Sequence, residues 1–234
     1  MTSMAGRIWL DSGRLIMVPS SAVFLLFDGS ALVRGGGSGG GGGALQWLTT
    51  ALVCAFYALI IWGYLRRGPA MATGRSVTAH AAAVVAMLTP FAFPLLRATP
   101  PGAVQQWAGD ILLAAGTGWS VWSLRSLGRN LSVIAQARKL VVGGPYQWVR
   151  HPLYTGEIVS SLGLALTAGS LTALAVWLGF CVLQGYRALR EEQLLVRALP
   201  GYRGYQARTA ALLPGLFLPT TGLVTGSGNR PGRR

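Results

Sequence analysis

Long apolar segments, separated by short clusters of arginine, constrain this chain more than any other feature. A segment of about 20 mostly apolar residues is long enough to cross the hydrocarbon core of a bilayer as a helix. The chain has 234 residues, of which 52% are hydrophobic and only 11% are charged, whereas soluble domains carry about 25% charged residues. These proportions predict a multispan membrane protein rather than a soluble domain.

Six segments are candidate membrane spans. The apolar stretch 153–187 is too long for one span, but the small residues 168–170 divide it and predict a tight helical hairpin. The first candidate is the weakest because Pro19, Asp28 and Gly29 interrupt it. An interfacial helix is the alternative there, as is an uncleaved signal anchor, since Arg7 and Arg14 precede the segment. We therefore predict an all-α, polytopic transmembrane helical bundle with five or six spans. The candidates are 14–33, 44–65, 78–98, 104–124, 153–168 and 171–187.

The positions of the positive charges predict the orientation. Lysine and arginine accumulate in the cytoplasmic loops of membrane proteins. With six spans and a cytoplasmic N-terminus, all of the 20 Lys and Arg except Arg34 and Arg97 fall on the inner side. We expect a multi-pass protein of the cytoplasmic membrane, embedded in the lipid bilayer, with both termini in the cytoplasm. The formal net charge of +14 then requires no nucleic acid as a partner.

Composition divides the chain into three parts. Residues 1–124 hold the N-terminal spans and a glycine-rich linker, 35–43, which is broken only by Ser38 and is predicted to be a flexible coil. Residues 125–215 hold the hairpin and most of the polar residues near the membrane. Residues 216–234 are expected to form a disordered tail.

The sequence offers few metal ligands. Its two cysteines, Cys54 and Cys181, lie inside apolar runs, and its two histidines are His80 and His151. We therefore expect neither a disulfide framework nor a metal centre. The chemistry must come from other side chains.

The first of two polar patches precedes the hairpin. A Gly-Pro pair at 144–145 predicts a turn, because proline presets its own φ. Pro152 suits the first turn of a helix, where its missing N–H costs nothing. The short element between them places Tyr146, Arg150 and His151 at the membrane surface.

The second polar patch follows the hairpin. Arg187 and Glu191 are four residues apart, so both point to one side of a helix, whereas Glu192 points elsewhere and is expected to face water. The hairpin returns this helix to the first patch, so the two patches are predicted to meet at the inner mouth of the bundle. Glu157, one turn into the first arm of the hairpin, is a candidate functional residue because an unpaired carboxylate is costly there.

Together the two patches form a set of spaced motifs. Its members are Gly144-Pro145-Tyr146, Arg150-His151-Pro152, Tyr154, Arg187, Glu191-Glu192, Gly201-Tyr202 and Tyr205. This set resembles the isoprenylcysteine carboxyl methyltransferase family of integral membrane enzymes, to which the phospholipid methyltransferases are related. The resemblance covers about residues 125–215. It departs from the family at Arg138, where members often have histidine.

The resemblance implies that the protein binds S-adenosylmethionine (SAM) at the cytoplasmic face. It further implies transfer of the methyl group to a lipophilic acceptor from the bilayer, by carboxyl O-methylation of a prenylated or similar lipid-like substrate. Arg187 and Glu191 would be catalytic and handle the substrate, and Arg150 and Glu157 would bind substrate or support the site. The implied SAM contacts are Arg138, Lys139, Leu140, Val141, Tyr146, His151, Pro152 and Tyr154.

The residues themselves leave the acceptor open. A carboxylate is ionised at pH 7 and needs no general base, and Arg187 would hold it through its planar donors with Glu191 fixing the arginine. An amine acceptor would instead require a proton acceptor, for which Glu191 and Glu157 are candidates. Phospholipid N-methylation is therefore the alternative activity. A sterol-reductase-like enzyme that uses NADPH and a non-enzymatic membrane protein are further alternatives.

Overall fold

The computed structural model describes residues 4–33, 43–66, 72–73, 76–130, 136–137 and 140–213. Over these residues the protein is a bundle of helices, which confirms the predicted fold class. The helices are α1 (Met4–Val33), α2 (Ala44–Arg66), α3 (Val77–Leu88), α4 (Ala103–Leu127), α5 (Pro152–Ala168), α6 (Leu171–Ala198) and α7 (Tyr202–Gln206). Short 3-10 helices cover Thr89–Leu96, Gly128–Asn130 and Gly144–Gln147, and strands β1 (Ala72–Thr73) and β2 (Gln136–Ala137) pair antiparallel.

Each of the six candidate spans corresponds to a helix. By length and composition, three helical segments of the described chain are long and apolar enough to cross a membrane: Ala44–Arg66, Val77–Leu96 and Leu171–Ala198. Helix α1 contributes a shorter apolar stretch, Met17–Ser30. Pro19 lies inside α1 without ending the helix. The linker 35–42 and the tail 216–234 lie outside the described residues.

The predicted helical hairpin is confirmed. Helix α5 ends at Ala168, and Gly169 adopts a left-handed conformation with φ of 64°, which favours glycine because it has no Cβ. The Ser170 hydroxyl caps the start of α6 by accepting a hydrogen bond from the Ala173 N–H at 3.0 Å. It also donates to the carbonyl of Leu96 at 2.8 Å, which ties the hairpin to the 3-10 helix after α3.

Glycines bring α4 and α5 into direct backbone contact. Gly109 and Gly116 of α4 face Gly163 and Gly156 of α5, and a Cβ added at any of the four would collide with backbone or side-chain atoms of the opposite helix. Small residues allow membrane helices to approach this closely. The contact fixes the first turn of α5, which carries the polar motif, against α4.

We predict that Gly156→Ala destabilises the protein. Its Cβ would collide with Ser120 Oγ and would lie 2.7 Å from the carbonyl oxygen of Gly116. Overpacking of this kind costs about 1–3 kcal/mol, so the unfolding temperature in detergent should fall by several degrees. Gly179→Ala is the matched control, because no atom lies within 4 Å of an added Cβ there. Equal unfolding temperatures for the two variants would contradict the close packing.

Candidate functional site

Backbone pairing holds the segment before α5 against the chain after α7. The Arg150 N–H donates to the carbonyl of Ala210 at 2.8 Å, and the His151 N–H donates to the carbonyl of Ala211 at 3.0 Å. Pro152 then occupies the first position of α5, as predicted. These hydrogen bonds and the start of α5 at Pro152 therefore fix the backbone that carries the Arg150 and His151 side chains.

Glu192 joins the two polar patches. Its Oε1 accepts a hydrogen bond from Arg150 Nε at 2.7 Å and lies 3.1 Å from His151 Nε2, while its Oε2 accepts from Gln206 Nε2 at 2.8 Å. The meeting of the two patches is thus confirmed. The expectation that Glu192 faces water is wrong, since only 5% of the residue is exposed. The reason is that α7 and the chain after it fold over this side of α6.

Arg150 extends this clamp to the backbone. Its Nη1 donates to the carbonyl of Gln206 at 2.9 Å and also to the carbonyl of Thr209. Its Nη2 is buried and has no hydrogen-bond partner within the part of the chain that the structure describes. This Nη2 group is therefore a candidate hydrogen-bond donor for a ligand.

Tyr154 lies between the two arms of the hairpin and contacts three site residues. Its hydroxyl donates to Glu191 Oε2 at 2.8 Å. Its ring lies parallel to the imidazole of His151, with an interplanar angle of 3° and ring centroids 5.4 Å apart. The Arg187 Cζ lies 4.6 Å from the centroid of the same ring, which is within the range of a cation–π interaction.

A cavity opens where these side chains meet, and we call it the polar cavity because Arg150, His151 and Glu191 line it, although apolar side chains such as Leu127 and Leu153 complete the lining. Among the residues predicted from sequence, seven line it: Leu140, Val141, Tyr146, Arg150, His151, Tyr154 and Glu191. Pro152 is buried beneath it, and Arg138 and Lys139 lie outside the described residues. The lining also includes Asn130, Leu195, Leu199, Tyr202 and Tyr205. Of these, the two tyrosines belong to the motifs noted above, whereas the sequence gives no signal for the others.

The tyrosines of the polar cavity remain protonated. Burial raises the pKa of Tyr146 far above its usual value, and the carboxylate of Glu191 raises it further. Burial likewise raises the pKa of Tyr202, with Glu192 as the next cause. Both phenols therefore act as neutral hydrogen-bonding groups at physiological pH.

A larger cavity lies among helices α1 to α6, and we call it the chamber. It has a volume of about 540 Å³ and a mostly apolar lining, which includes Glu157 and Arg187. Leu153 lines both cavities. His151 and Arg187, which belong to the two patches predicted to meet, thus lie in adjoining cavities. The ring of Tyr154, which contacts both side chains, stands between them.

Arg187, Glu157 and Gln184 form a polar cluster beside the chamber. Arg187 Nη1 donates to Gln184 Oε1 at 2.7 Å and lies 3.7 Å from Glu157 Oε2. Gln184 Nε2 donates to the same Glu157 oxygen. The partner expected to fix Arg187 was Glu191, and Gln184 was missed. The sequence signal for Gln184 is an amide side chain three residues before an arginine in an otherwise apolar span.

Glu192→Gln is predicted to destabilise the protein far more than Glu191→Gln. Removing the charge of a buried carboxylate leaves Arg150 uncompensated, which typically costs about 3–5 kcal/mol. Glu191 is the matched control, because its side chain is 24% exposed, whereas that of Glu192 is 7% exposed. Thermal unfolding in detergent measures the difference. Similar unfolding temperatures would show that the clamp does not hold the two patches together.

The part of the chain that matches a known family holds helices α4 to α6, each of which contributes to the lining of both cavities. The sequence profile of the phospholipid methyltransferase family matches residues 104–200, which include nearly all of α4 to α6 and the segment of Arg150 and His151. The resemblance to this group of integral membrane methyltransferases is thus confirmed for this region.

Individual relatives match more narrowly. The cobalt-zinc-cadmium resistance protein CzcN of Cupriavidus metallidurans is 33% identical over 115 residues, which are 48% of this chain and 53% of that protein. The nickel-cobalt-cadmium resistance protein NccN of Alcaligenes xylosoxydans xylosoxydans is 36% identical over 84 residues, 36% of this chain and 39% of that protein. The chain therefore spans about half the length of these curated relatives, or less. In the described residues, no group of three or more His, Cys, Asp and Glu is placed to hold a metal ion.

One solved structure aligns with most of the chain. It is that of the eukaryotic intramembrane Ras methyltransferase ICMT, an isoprenylcysteine carboxyl methyltransferase. The alignment covers 92% of this chain and 98% of that chain, with 19% sequence identity and a TM-score of 0.43.

Proposed function

We propose that this protein is a SAM-dependent membrane methyltransferase that acts on a lipophilic acceptor. The observation that carries the proposal is that the polar cavity adjoins the mostly apolar chamber: Leu153 lines both, and Tyr154 of the polar cavity contacts Arg187 of the chamber. A water-soluble donor and a lipid acceptor would suit two adjoining sites, one with charged and hydrogen-bonding groups and one lined mostly by apolar side chains. In this proposal residues 125–215 form the catalytic region, and residues 1–124 complete the chamber.

The side chains of the polar cavity have the chemistry that SAM requires. The buried Arg150 Nη2, which has no partner among the described residues, would donate to the carboxylate of the methionine part. Glu191 would accept hydrogen bonds from hydroxyl or ammonium groups. The tyrosine rings at 146, 154 and 202 would contact the adenine and the sulfonium, since a cation is attracted to an aromatic face.

The size of the polar cavity adds one requirement. Its volume is about 90 Å³, whereas sites for ligands of this size usually measure about 300–1,000 Å³. The lining side chains must therefore move apart when SAM binds. The resemblance also assigns Arg138 and Lys139 to SAM. They come directly before Leu140 in the sequence, and Leu140 lines this cavity.

The chamber suits the tail of a long amphiphile. Asp110 and Leu124 both line it, and at a rise of about 1.5 Å per residue the stretch of α4 between them is about 21 Å long. The lining of the chamber as a whole is mostly apolar, although Asp110, Thr117 and Ser120 of α4 also face it, and it would bury an acyl or isoprenoid chain. Arg187 and Glu157 would then meet the polar head of the acceptor near Tyr154.

SAM supplies an electrophilic methyl group, so the protein mainly has to align the acceptor and exclude water. We propose carboxyl O-methylation, in which Arg187 binds the acceptor carboxylate. The ring of Tyr154 would have to move aside so that a carboxylate oxygen reaches the methyl carbon, forms the C–O bond and displaces the sulfur of SAM in line, with S-adenosylhomocysteine as the leaving group. Glu157 in the same chamber supports one second candidate, N-methylation of a lipid amine, in which this carboxylate takes up the proton. Glu191 lines the polar cavity and would therefore bind SAM.

We also infer that the polar cavity faces the cytoplasm. Arginines cluster on the chain around it, and such clusters mark the cytoplasmic side of membrane proteins. This orientation places both termini in the cytoplasm and gives the site access to soluble SAM. The arginines of the segments that flank this cavity in the sequence include Arg125, Arg190, Arg197, Arg203 and Arg208.

His151→Ala and Tyr146→Ala are predicted to weaken SAM binding at least about tenfold, or about 1.4 kcal/mol. Both side chains line the polar cavity. Calorimetric titration of the purified protein with SAM measures the affinity, and thermal unfolding verifies that each variant is folded. His80→Ala is the matched control, since His80 lies outside the lining of the cavity.

Normal SAM affinity in both folded variants would show that the assigned cavity is wrong. If NADPH, and not SAM, protects the wild type against thermal unfolding, that result would favour the reductase alternative. Absence of binding of either cofactor would favour a non-enzymatic protein.

The chemical class of the product tests the acceptor. When the protein and labelled SAM are incubated with membrane lipids, we expect the label in base-labile methyl esters, because Arg187 would select a carboxylate. Label in base-stable lipid amines would instead establish the N-methylation candidate. Arg187→Lys should lower the yield of ester, because lysine lacks the planar pair of donors.

A further inference from the structure

A carboxyl group lines the chamber at the end that lies far from Glu157. Ser120 of α4 packs against Gly156, which is next to Glu157 in α5. Asp110 comes ten residues before Ser120 on the same helix, which is about 15 Å at a rise of about 1.5 Å per residue. In α4, which the structure describes throughout, no residue before Asp110 lines the chamber. Asp110 therefore marks the end of the lining on this helix.

Helices α2 and α4 run in the same direction along the chamber. A Cβ added at Gly118 of α4 would lie 3.8 Å from Leu52 Cδ1 of α2, and farther along both helices Ile60 and Leu124 share a buried cluster. The first lining residues of the two helices therefore lie at the same end of the chamber. These residues are Asp110 and Gln46. The Gln46 residue is exposed, so the chamber reaches the surface of the protein here.

Asp28 of α1 also lines the chamber, but it lies at a different height. It is about one helical turn after Phe24, whose ring centroid is 5.4 Å from that of Tyr57 in α2. Tyr57 comes 11 residues after Gln46, or about 16 Å, and one turn advances a helix by about 5.4 Å. Asp28 is therefore roughly 10 Å from the level of Gln46. The polar end of the chamber consists of Asp110 and Gln46.

A polar end limits what a hydrocarbon tail can gain. Each methylene group that moves from water into an apolar environment contributes about 0.8 kcal/mol. Covering a carboxyl group with hydrocarbon instead costs free energy, because the carboxyl loses its hydration. The hydrogen bond that Asp110 Oδ1 accepts from Gln106 Nε2 at 2.9 Å lies within α4, so it leaves the carboxyl in the chamber lining. Methylenes that reach Asp110 therefore gain little.

We propose that Asp110 is a specificity-determining residue that limits the length of the acceptor tail. When the head of the acceptor lies beside Glu157, a tail longer than about 15 Å reaches Asp110, and its last methylenes meet no apolar wall on α4. Tails beyond this length therefore bind no more tightly than tails that end at this level. The proposal rests on the proposed function only in placing the acceptor tail in the chamber.

Substitutions on one helix separate the effect of the carboxyl from a general change in α4. Asp110→Leu replaces the carboxyl with an apolar side chain, so the last methylenes of a long tail gain a contact. Gln106→Leu is the matched control. It makes a similar substitution one turn away, at a residue that does not line the chamber, and it leaves the carboxyl of Asp110 in place.

Decanol and octadecanol test the proposal, because they share an uncharged head and their extended tails are shorter and longer than this distance. Their dissociation constants are measured by calorimetric titration of the full chain in detergent without SAM. Comparing variant and wild type for the same alcohol cancels its partition into the detergent. Asp110→Leu should bind octadecanol at least about fourfold more tightly than the wild type, which corresponds to about one buried methylene. It should bind decanol equally, and Gln106→Leu should bind both alcohols as the wild type does.

Equal affinity of folded Asp110→Leu and the wild type for octadecanol would overturn the proposal, as would a wild type that binds neither alcohol. An equal gain in Gln106→Leu would also overturn it, because the carboxyl remains in that variant. If Asp110→Leu does not fold, Gln46→Leu, which extends the apolar wall of α2 at the same end, decides by the same comparison. Failure of the proposed function is a separate result: the wild type then binds no SAM, while octadecanol still binds more tightly to Asp110→Leu.

Discussion

The rest of the site depends on one buried carboxylate, that of Glu192. Arg150 and His151 approach it from the start of α5, and Gln206 approaches it from α7. A carboxylate at this depth is tolerable only because hydrogen bonds and opposite charge offset its lost hydration. Since Arg150 also binds backbone carbonyls after α7, one cluster joins three segments that are distant in sequence. Charge pairing, and not apolar packing alone, holds the walls of the polar cavity together.

Within the bundle, the glycine contact between α4 and α5 positions the first turn of α5. It sets the first turn of α5 so close to α4 that Leu153 contributes to both cavities and Tyr154 projects toward His151 and Arg187. A single turn of helix thus separates a polar cavity from an apolar chamber. In the proposed reaction this turn is where the donor and the acceptor meet, and a larger residue on the α4 face of α5 would displace it.

The parts of the fold that follow from the length of apolar runs could be predicted from the sequence. These are the helices, the hairpin at Gly169, and the meeting of two charged patches that stand at the ends of such runs. Glu192 was placed on the wrong side because helical spacing describes one helix and not the chain that folds over it. Gln184 was missed because an uncharged amide in an apolar run is less conspicuous than a carboxylate. The division into two cavities depends on where the Tyr154 ring lies, and spacing along the chain carries no information on that.

The central claim is that the polar cavity, and not the chamber, holds the nucleoside of SAM. Photolabelling with an azidoadenosyl analogue of SAM, followed by peptide mapping with mass spectrometry, tests it most directly. The account predicts label on residues 140–154 and 191–205, and loss of that label when unlabelled SAM is added in excess. Competed label confined to the chamber-lining parts of α1, α2 and α3 would contradict it.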